Sequence, residues 1–181
     1  MRRAIVVAHQ DDEILWTAPE PGDTIFYCST PSQDSIRATQ CLQVCKLYDA
    51  APIISPELDR YNGSGPIKPL KDIGTFLASL NDFDAVITHN EVGEYGHPQH
   101  KQISRWVKEN YRGSLTLFGE GLARKQRTTL SEDDYQRRVA ALKCYDDVWG
   151  KPPGPQWSRL VDRYLKGGIG ALRTVWTARP I

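Results

Sequence analysis

Arg3-Ala4-Ile5-Val6-Val7-Ala8-His9-Gln10-Asp11-Asp12-Glu13 contains the change of character that decides the fold of this chain. Ala4 to Ala8 is an unbroken apolar run with three β-branched residues, the signature of a strand buried on both faces. His9 to Glu13 then breaks it with polar and acidic groups, as at a strand-to-helix turn. A strand buried on both faces belongs in a parallel sheet covered by helices, and the chain beyond it repeats the alternation of short β-rich runs with longer amphipathic stretches. Candidate strands are Arg3–Ala8, Thr24–Ser29, Pro52–Ser55, Ala85–His89 and Leu115–Phe118. Candidate helices are Asp34–Tyr48, Leu70–Leu80, Pro98–Tyr111, Ser131–Val148 and Trp157–Leu165. The predicted fold class is therefore α/β, a Rossmann-like three-layer fold with a mostly parallel sheet.

The 181 residues suffice for one sizeable core, and no repeat, low-complexity tract or linker divides them, so residues 1–181 are expected to form a single domain. Asp59 to Lys68 and the proline-rich Lys151–Pro155 are expected to be surface loops. With 40% hydrophobic and 25% charged residues the composition is that of a globular protein. Twenty-three basic residues against 22 acidic ones leave a formal charge of +1, which gives no global field for nucleic acid or an anionic membrane. No apolar run approaches the roughly 20 residues of a membrane span. The apolar stretch after Met1-Arg2-Arg3 is too short for a secretory leader. Cys28, Cys41, Cys45 and Cys144 form no CxxC pair and are expected to be reduced thiols of a cytoplasmic protein.

The four histidines, His9, His89, His97 and His100, all fall at or just after the carboxyl end of a predicted strand. In open α/β sheets ligands bind in the crevice beyond those ends, so clusters far apart in sequence can meet there. The first cluster, His9 to Glu13, concentrates three acids and a histidine where burial is costly without a partner, and a divalent cation is one such partner. The alternative is that the acids complement the positive end of a short helix. In the second cluster, Gly93 to His100, Pro98 suits the first turn of a helix, with His97 at its cap and His100 one turn inside. The HxxH pair with His9 and Asp12 makes a nitrogen- and oxygen-rich set suited to a catalytic zinc with one open position.

Ala8-His9-Gln10-Asp11-Asp12-Glu13 resembles the AHPDDE motif of the PIG-L/LmbE-like family of zinc-dependent N-deacetylases, and His97-Pro98-Gln99-His100 resembles its HPDH motif. The likeness extends through Ile36–Gln40 and Ala140–Tyr145, in the family's order. It implies that His9, Asp12 and His100 bind Zn2+, with Fe2+ as the other candidate ion. It further implies that Asp11 is the general base, that His97 is a general acid or oxyanion stabiliser, and that Tyr95 reaches over the substrate carbonyl. Gln10 and Gln99 stand where the family has proline and aspartate, at positions that supply no ligand. Gln40 stands where glutamate is common, and Ile14–Asp23 is shorter than the family's glycine-rich stretch, so the pocket wall there is particular to this chain.

Around this set, Arg37 is a candidate for a substrate hydroxyl or phosphate, with a structural ion pair as its other reading. Glu13 and Asn90 are candidate substrate-binding residues, Glu13 otherwise a supporting or helix-start acid; His89 and Asn90 end a strand beside the site and either support it or bind substrate, or only make strand-end hydrogen bonds; Trp16 is either a sugar-stacking ring or a core or rim residue. Trp149 and Trp157 flank the proline-rich loop, which would overhang a pocket or merely connect. The expected function is removal of an N-acyl group, acetyl above all, from a small-molecule or glycoconjugate amino-sugar substrate. The alternatives are hydrolysis of another amide or ester, such as a modified nucleoside, and a metal-containing carbohydrate- or nucleotide-binding module without turnover.

Overall fold

β1 (Arg3–Val7) is buried beyond its first residue and lies at the centre of a seven-stranded sheet of order β4-β2-β1-β6-β7-β9-β8. The computed structural model describes residues 1–31, 35–59, 66–119, 122, 126–145 and 174–178. Around β1 the sheet uses β2 (Thr24–Tyr27), β4 (Ala51–Ile54), β6 (Ala85–Thr88), β7 (Ser114–Phe118), β8 (Gln126–Thr129) and β9 (Thr174–Ala178). The helices are α1 (Asp12–Trp16), α2 (Ser35–Tyr48), α3 (Ile73–Phe76), α4 (Pro98–Asn110) and α5 (Glu132–Cys144), and β3 (Thr30–Pro31) pairs with β5 (Leu58–Asp59) in a small separate sheet.

The pairs β4·β2, β2·β1, β1·β6 and β6·β7 are parallel, while β9 runs antiparallel to both β7 and β8. The predicted class, a mostly parallel α/β sheet, is the observed one. Successive β1 side chains alternate between two cores. Ala4 and Val6 pack with Leu70, Leu77, Ile103 and Val107 on the α3/α4 side, whereas Ile5 and Val7 pack with Ile14, Cys41, Val44 and Ala141 on the α1/α2/α5 side. This double burial accounts for the unbroken apolar run. The chain moves from β1 to one edge through β2 and β4, then returns to the other side of β1 with β6, so the order reverses between β1 and β6. At such a switch point the crossover connections diverge and leave a crevice. His9 and His89 follow the two strands that border it.

Local chemistry explains several element ends. Ser131 caps α5, its hydroxyl accepting from the Asp134 amide at 3.1 Å, with Glu132, Asp133 and Asp134 in the first turn. Pro98 opens α4 as expected. The predicted helix over 70–80 is corrected to the four-residue α3 followed by a turn and a 3₁₀ segment, Leu80–Asp82. Leu70, Ile73, Leu77 and Leu80 all reach the core, so the apolar spacing is met by short turns. Gly74 lies within α3 beside the Trp106 indole, 3.4 Å from where a Cβ would stand. β8 carries no apolar side chain and is exposed throughout, so nothing in its sequence announced a strand. Cys28, Cys41 and Cys45 are buried, and all four cysteines are free. The 151–155 loop, Trp149, Trp157 and the 157–165 helix lie outside the described residues. Among the described residues no helix is long and apolar enough to cross a membrane.

Candidate metal centre

Beyond β1 the chain turns sharply. Asp11 takes φ 117, outside the range comfortable for a residue with a Cβ, while its carbonyl accepts the Ile14 and Leu15 amides at 3.0 Å to start α1. A conformation of this kind costs on the order of 1–3 kcal/mol and persists when its surroundings hold it. Glu13 supplies that hold: one carboxyl oxygen accepts from the Asp11 amide at 2.9 Å and the other from the Tyr145 hydroxyl at 2.6 Å. Glu13 is thus fully buried and bonded to the chain at both oxygens. Burial pushes its carboxyl up to about 8, against the Tyr145 bond and with Asp11 adding to the rise. Tyr145→Phe is expected to lower the unfolding free energy by about 1–3 kcal/mol, because it leaves a buried acceptor without its donor. Chemical denaturation measures this, and an unchanged midpoint would contradict it.

Beyond β6, Asn90 performs the matching task. It is buried, its amide donates to the Phe118 carbonyl at 2.7 Å, and its Oδ1 accepts from the Val92 amide at 3.0 Å and the Glu94 amide at 3.3 Å. Gly93 follows with φ 67, and a Cβ there would lie 2.7 Å from the His97 carbonyl oxygen, so this turn requires glycine. The result is to set His97 at the start of α4 and to bury His100 one turn later.

The three residues implied as ligands converge. Asp12 Oδ2 lies 3.2 Å from His9 Nδ1 and 3.4 Å from His100 Nε2. The hydrogen-bond network decides which ring nitrogens carry protons. Gln99 donates through Nε2 to the Lys68 carbonyl at 2.9 Å, so its Oε1 faces His9 Nε2 at 2.7 Å, and His9 Nε2 must be the donor. His100 Nδ1 donates to Glu94 Oε2 at 2.6 Å. His9 Nδ1 and His100 Nε2 are the nitrogens left to face the Asp12 carboxylate, and His100 Nε2 is buried with no hydrogen-bond partner. Electron-rich atoms gathered in this way fit a cation. Asp12 is oriented in turn by the His9 amide at 2.9 Å and by the Trp16 indole, which donates to Oδ1 at 3.0 Å. Trp16 is 4% exposed, so it is a core ring bonded to Asp12 and offers no open face for a sugar.

His89 also presents Nε2 toward Asp12 Oδ2, at 3.6 Å, and two groups of possible ligands exist among the described residues: His9, His97 and His100, and Asp12, His89 and His100. His89 Nε2, however, accepts the Ala8 amide at 3.0 Å while its Nδ1 donates to Glu94 at 3.0 Å. Its lone pair is occupied, so it ties the end of β1 to the end of β6. No ligand role for His89, and no role at all for Glu94, is legible in the sequence.

Charge within the site follows burial and neighbours. Burial alone would lower His100, but Asp12 and Glu94 outweigh it and raise the imidazole to about 9, so without an ion the ring holds a second proton that a bound metal would displace from Nε2. Burial would raise Asp12, yet His100 and His9 hold it well below the usual carboxylate range. Asp11 is pushed up to about 7 by burial, with Arg37 opposing and Asp12 adding, and neither of its oxygens has a hydrogen-bond partner. Burial, reinforced by His100 and His9, drives His97 down to about 2, so it is neutral. The His97 ring lies 4.9 Å from His9 and 4.4 Å from His100, and its Nδ1 is buried without a partner. Arg37 Nη2 is 3.7 Å from Asp11 Oδ2, and the guanidinium remains partly exposed. Tyr95 is 47% exposed, with its ring 5.8 Å from His97, 5.6 Å from His100 and 6.1 Å from Trp16.

No family model matches the chain. An uncharacterized protein of Acanthamoeba polyphaga mimivirus is 28% identical over 136 residues, which cover 64% of this chain and 60% of that protein's length. Among solved structures, the deacetylase of the A40926 pseudoaglycone superposes with TM-score 0.63 at 15% identity over 98% of this chain and 96% of its own. The zinc-inhibited form of teicoplanin deacetylase gives TM-score 0.61 at 11% identity over 99% of both chains. The GalB 4-carboxy-2-hydroxymuconate hydratase of Pseudomonas putida gives 0.58 at 15% identity over 100% of this chain and 98% of its own. One architecture thus serves deacetylases and a hydratase, and what this chain shares with them is the fold, a mostly parallel α/β sheet covered by helices.

Proposed function

We propose that this chain is a metal-dependent N-deacetylase of the PIG-L/LmbE-like type, a single domain over residues 1–181, acting on an N-acetylated amino sugar in a small molecule or glycoconjugate. The observation that carries the reading is the convergence of His9 Nδ1 and His100 Nε2 on Asp12 Oδ2, with the adjacent Asp11 carboxyl buried and accepting no hydrogen bond. His9, Asp12 and His100 would hold the ion, zinc or iron(II). A divalent ion bound by two imidazoles and a carboxylate supplies Lewis acidity toward a carbonyl oxygen and makes water more acidic. The deacetylase activity named for the A40926 and teicoplanin proteins supports the choice of acyl transfer to water over other chemistry on this fold.

Each remaining residue has work suited to amide hydrolysis. Asp11 accepts a proton from the attacking water, since its oxygens have no hydrogen-bond donor in the protein, and returns it toward the leaving nitrogen. His97 is neutral, so it acts by donating an N–H hydrogen bond to the carbonyl oxygen as that oxygen gains charge. Tyr95 closes over the substrate. Arg37 restrains the charge on Asp11 and turns its exposed edge to a substrate hydroxyl or phosphate. Glu13 and Asn90 are buried supports that act on substrate through Asp11 and the β6 turn. Asp11 also favours turnover over a binding module, because a buried, strained acid that accepts no hydrogen bond and has only the long Arg37 ion pair takes no part in ligation.

The test is a panel of N-acetylated amino sugars, free, nucleotide-linked and lipid-linked, given to metal-loaded protein with release of primary amine as readout. Amine release that chelation stops is expected from at least one class. A metal-loaded protein inert toward all three would redirect the reading to another amide or ester.

A further inference from the structure

Glu94 belongs to neither histidine motif, yet it lies under both halves of the site. Its Oε2 accepts from His100 Nδ1 at 2.6 Å and from His89 Nδ1 at 3.0 Å, and its Oε1 accepts from the Asn90 amide at 3.0 Å. The two rings are stacked, with centroids 3.8 Å apart and planes 19° from parallel, so they offer Nε2 atoms to Asp12 in nearly the same way. We propose that Glu94 is a positioning residue that selects between them: by taking both Nδ1 protons it puts both lone pairs on Nε2, where the Ala8 amide caps that of His89 and only His100 is left to ligate. The inference rests on the proposed metal site.

Its backbone supports a dedicated role. Glu94 takes φ 55, a left-handed conformation in which glycine is favoured, and it stands between Gly93 at φ 67 and Gly96 at φ 98. A glutamate held there, 6% exposed, is retained by its side chain, which has three donors converging on two oxygens. Only an ionised carboxylate satisfies them all. A carboxylate behind a ligating imidazole also fixes its orientation and raises its basicity. The conformation and the three bonds together make the position specific to an acid long enough to reach both rings.

Glu94→Gln is the discriminating variant because it keeps the shape and replaces one acceptor by an NH₂ donor. With three donors around it, the amide must face at least one N–H. If the NH₂ faces the rings, the relief is transfer of a ring proton from Nδ1 to Nε2, which on His100 caps the ligand atom; if it faces the Asn90 amide, the rings keep only a neutral carbonyl and His100 Nε2 loses the basicity that a carboxylate lends it. Zinc affinity, measured by competition with a chromogenic chelator, is expected to fall about 10–100-fold, with circular dichroism and thermal unfolding checking that the protein is folded. A folded Glu94→Gln protein that binds zinc within about twofold of wild type overturns the proposal. A second measurement does not depend on the variant: ¹⁵N–¹H long-range spectra of the zinc-loaded wild type should show His100 protonated at Nδ1 and His89 neutral with its proton on Nδ1. His100 ligating through Nδ1, or His89 protonated at Nε2, overturns it equally. If the wild type takes up no divalent metal, the proposed function falls and this inference falls with it. If wild type binds and Glu94→Gln binds equally, only the inference falls.

Discussion

Zinc that remains with the wild-type protein through dialysis is expected to be absent from His9→Ala, Asp12→Ala and His100→Ala. Each removes an atom from a set in which His9 Nδ1 and His100 Nε2 face Asp12 Oδ2 at 3.2 and 3.4 Å, and two remaining donors do not make a tight site. The loss should exceed the roughly 10–100-fold that removal of a supporting partner costs. Asp12→Ala carries a second effect, since the Trp16 indole and the His9 amide both donate to that carboxylate. Asp12→Asn, which keeps an acceptor oxygen for one of them, separates lost ligation from lost folding. Metal analysis beside circular dichroism checks all four proteins, and full occupancy in the three alanine variants would reject the ligand set. Iron(II) suits the same donors, so metal content depends on supply and is best read after loading with a single ion.

The parts of this arrangement that sequence reveals are the local ones. The β1 run declares a doubly buried strand because every residue from Ala4 to Ala8 is apolar, and the histidines at the ends of β1 and β6 follow from where parallel sheets bind ligands. Pro98 and the spacing of His97 and His100 likewise place one histidine at a helix cap and one inside. What stayed hidden depends on contacts across long separations. Tyr145 reaches Glu13 across 132 positions, and Arg138 reaches the Leu15 carbonyl across 123, so α5 braces the turn that carries Asp11. Neither residue has a pattern that names its partner. Glu94 left a fainter signal: an acid between two glycines, in a stretch already marked by HxxH. It was legible as a loop residue, and its carboxylate became informative only once His89 and His100 were stacked. The same limit explains Trp16, whose ring invites a sugar in sequence but whose indole is bound to Asp12 in the fold.

Asp11→Asn and His97→Ala are expected to retain zinc yet lose about 10²–10⁴-fold in turnover, which separates an enzyme from a metal-holding module. Neither residue is in the ligand set, and both Asp11 oxygens and His97 Nδ1 are buried without hydrogen-bond partners, Asp11 having only the 3.7 Å ion pair with Arg37. Such groups cost stability when nothing uses them, so their presence beside the converged ligands marks atoms reserved for substrate. Asparagine keeps the size of Asp11 and its capacity to accept one hydrogen bond but cannot take up a proton, so Asp11→Asn tests base chemistry with little change in shape. The Glu13 bond to the residue-11 amide holds the φ 117 turn independently of the side chain, and the variant should therefore fold as wild type does. His97→Ala removes a neutral N–H donor from a ring whose centroid lies 4.4 Å from that of His100. Its loss should appear in kcat and kcat/KM together, because a hydrogen bond to an oxygen that becomes charged is made chiefly in the transition state. A fall in metal content parallel to the fall in rate would instead make His97 a ligand, in the alternative group with His9 and His100. Wild-type turnover in both variants would leave the metal site standing and the assignment of base and donor refuted.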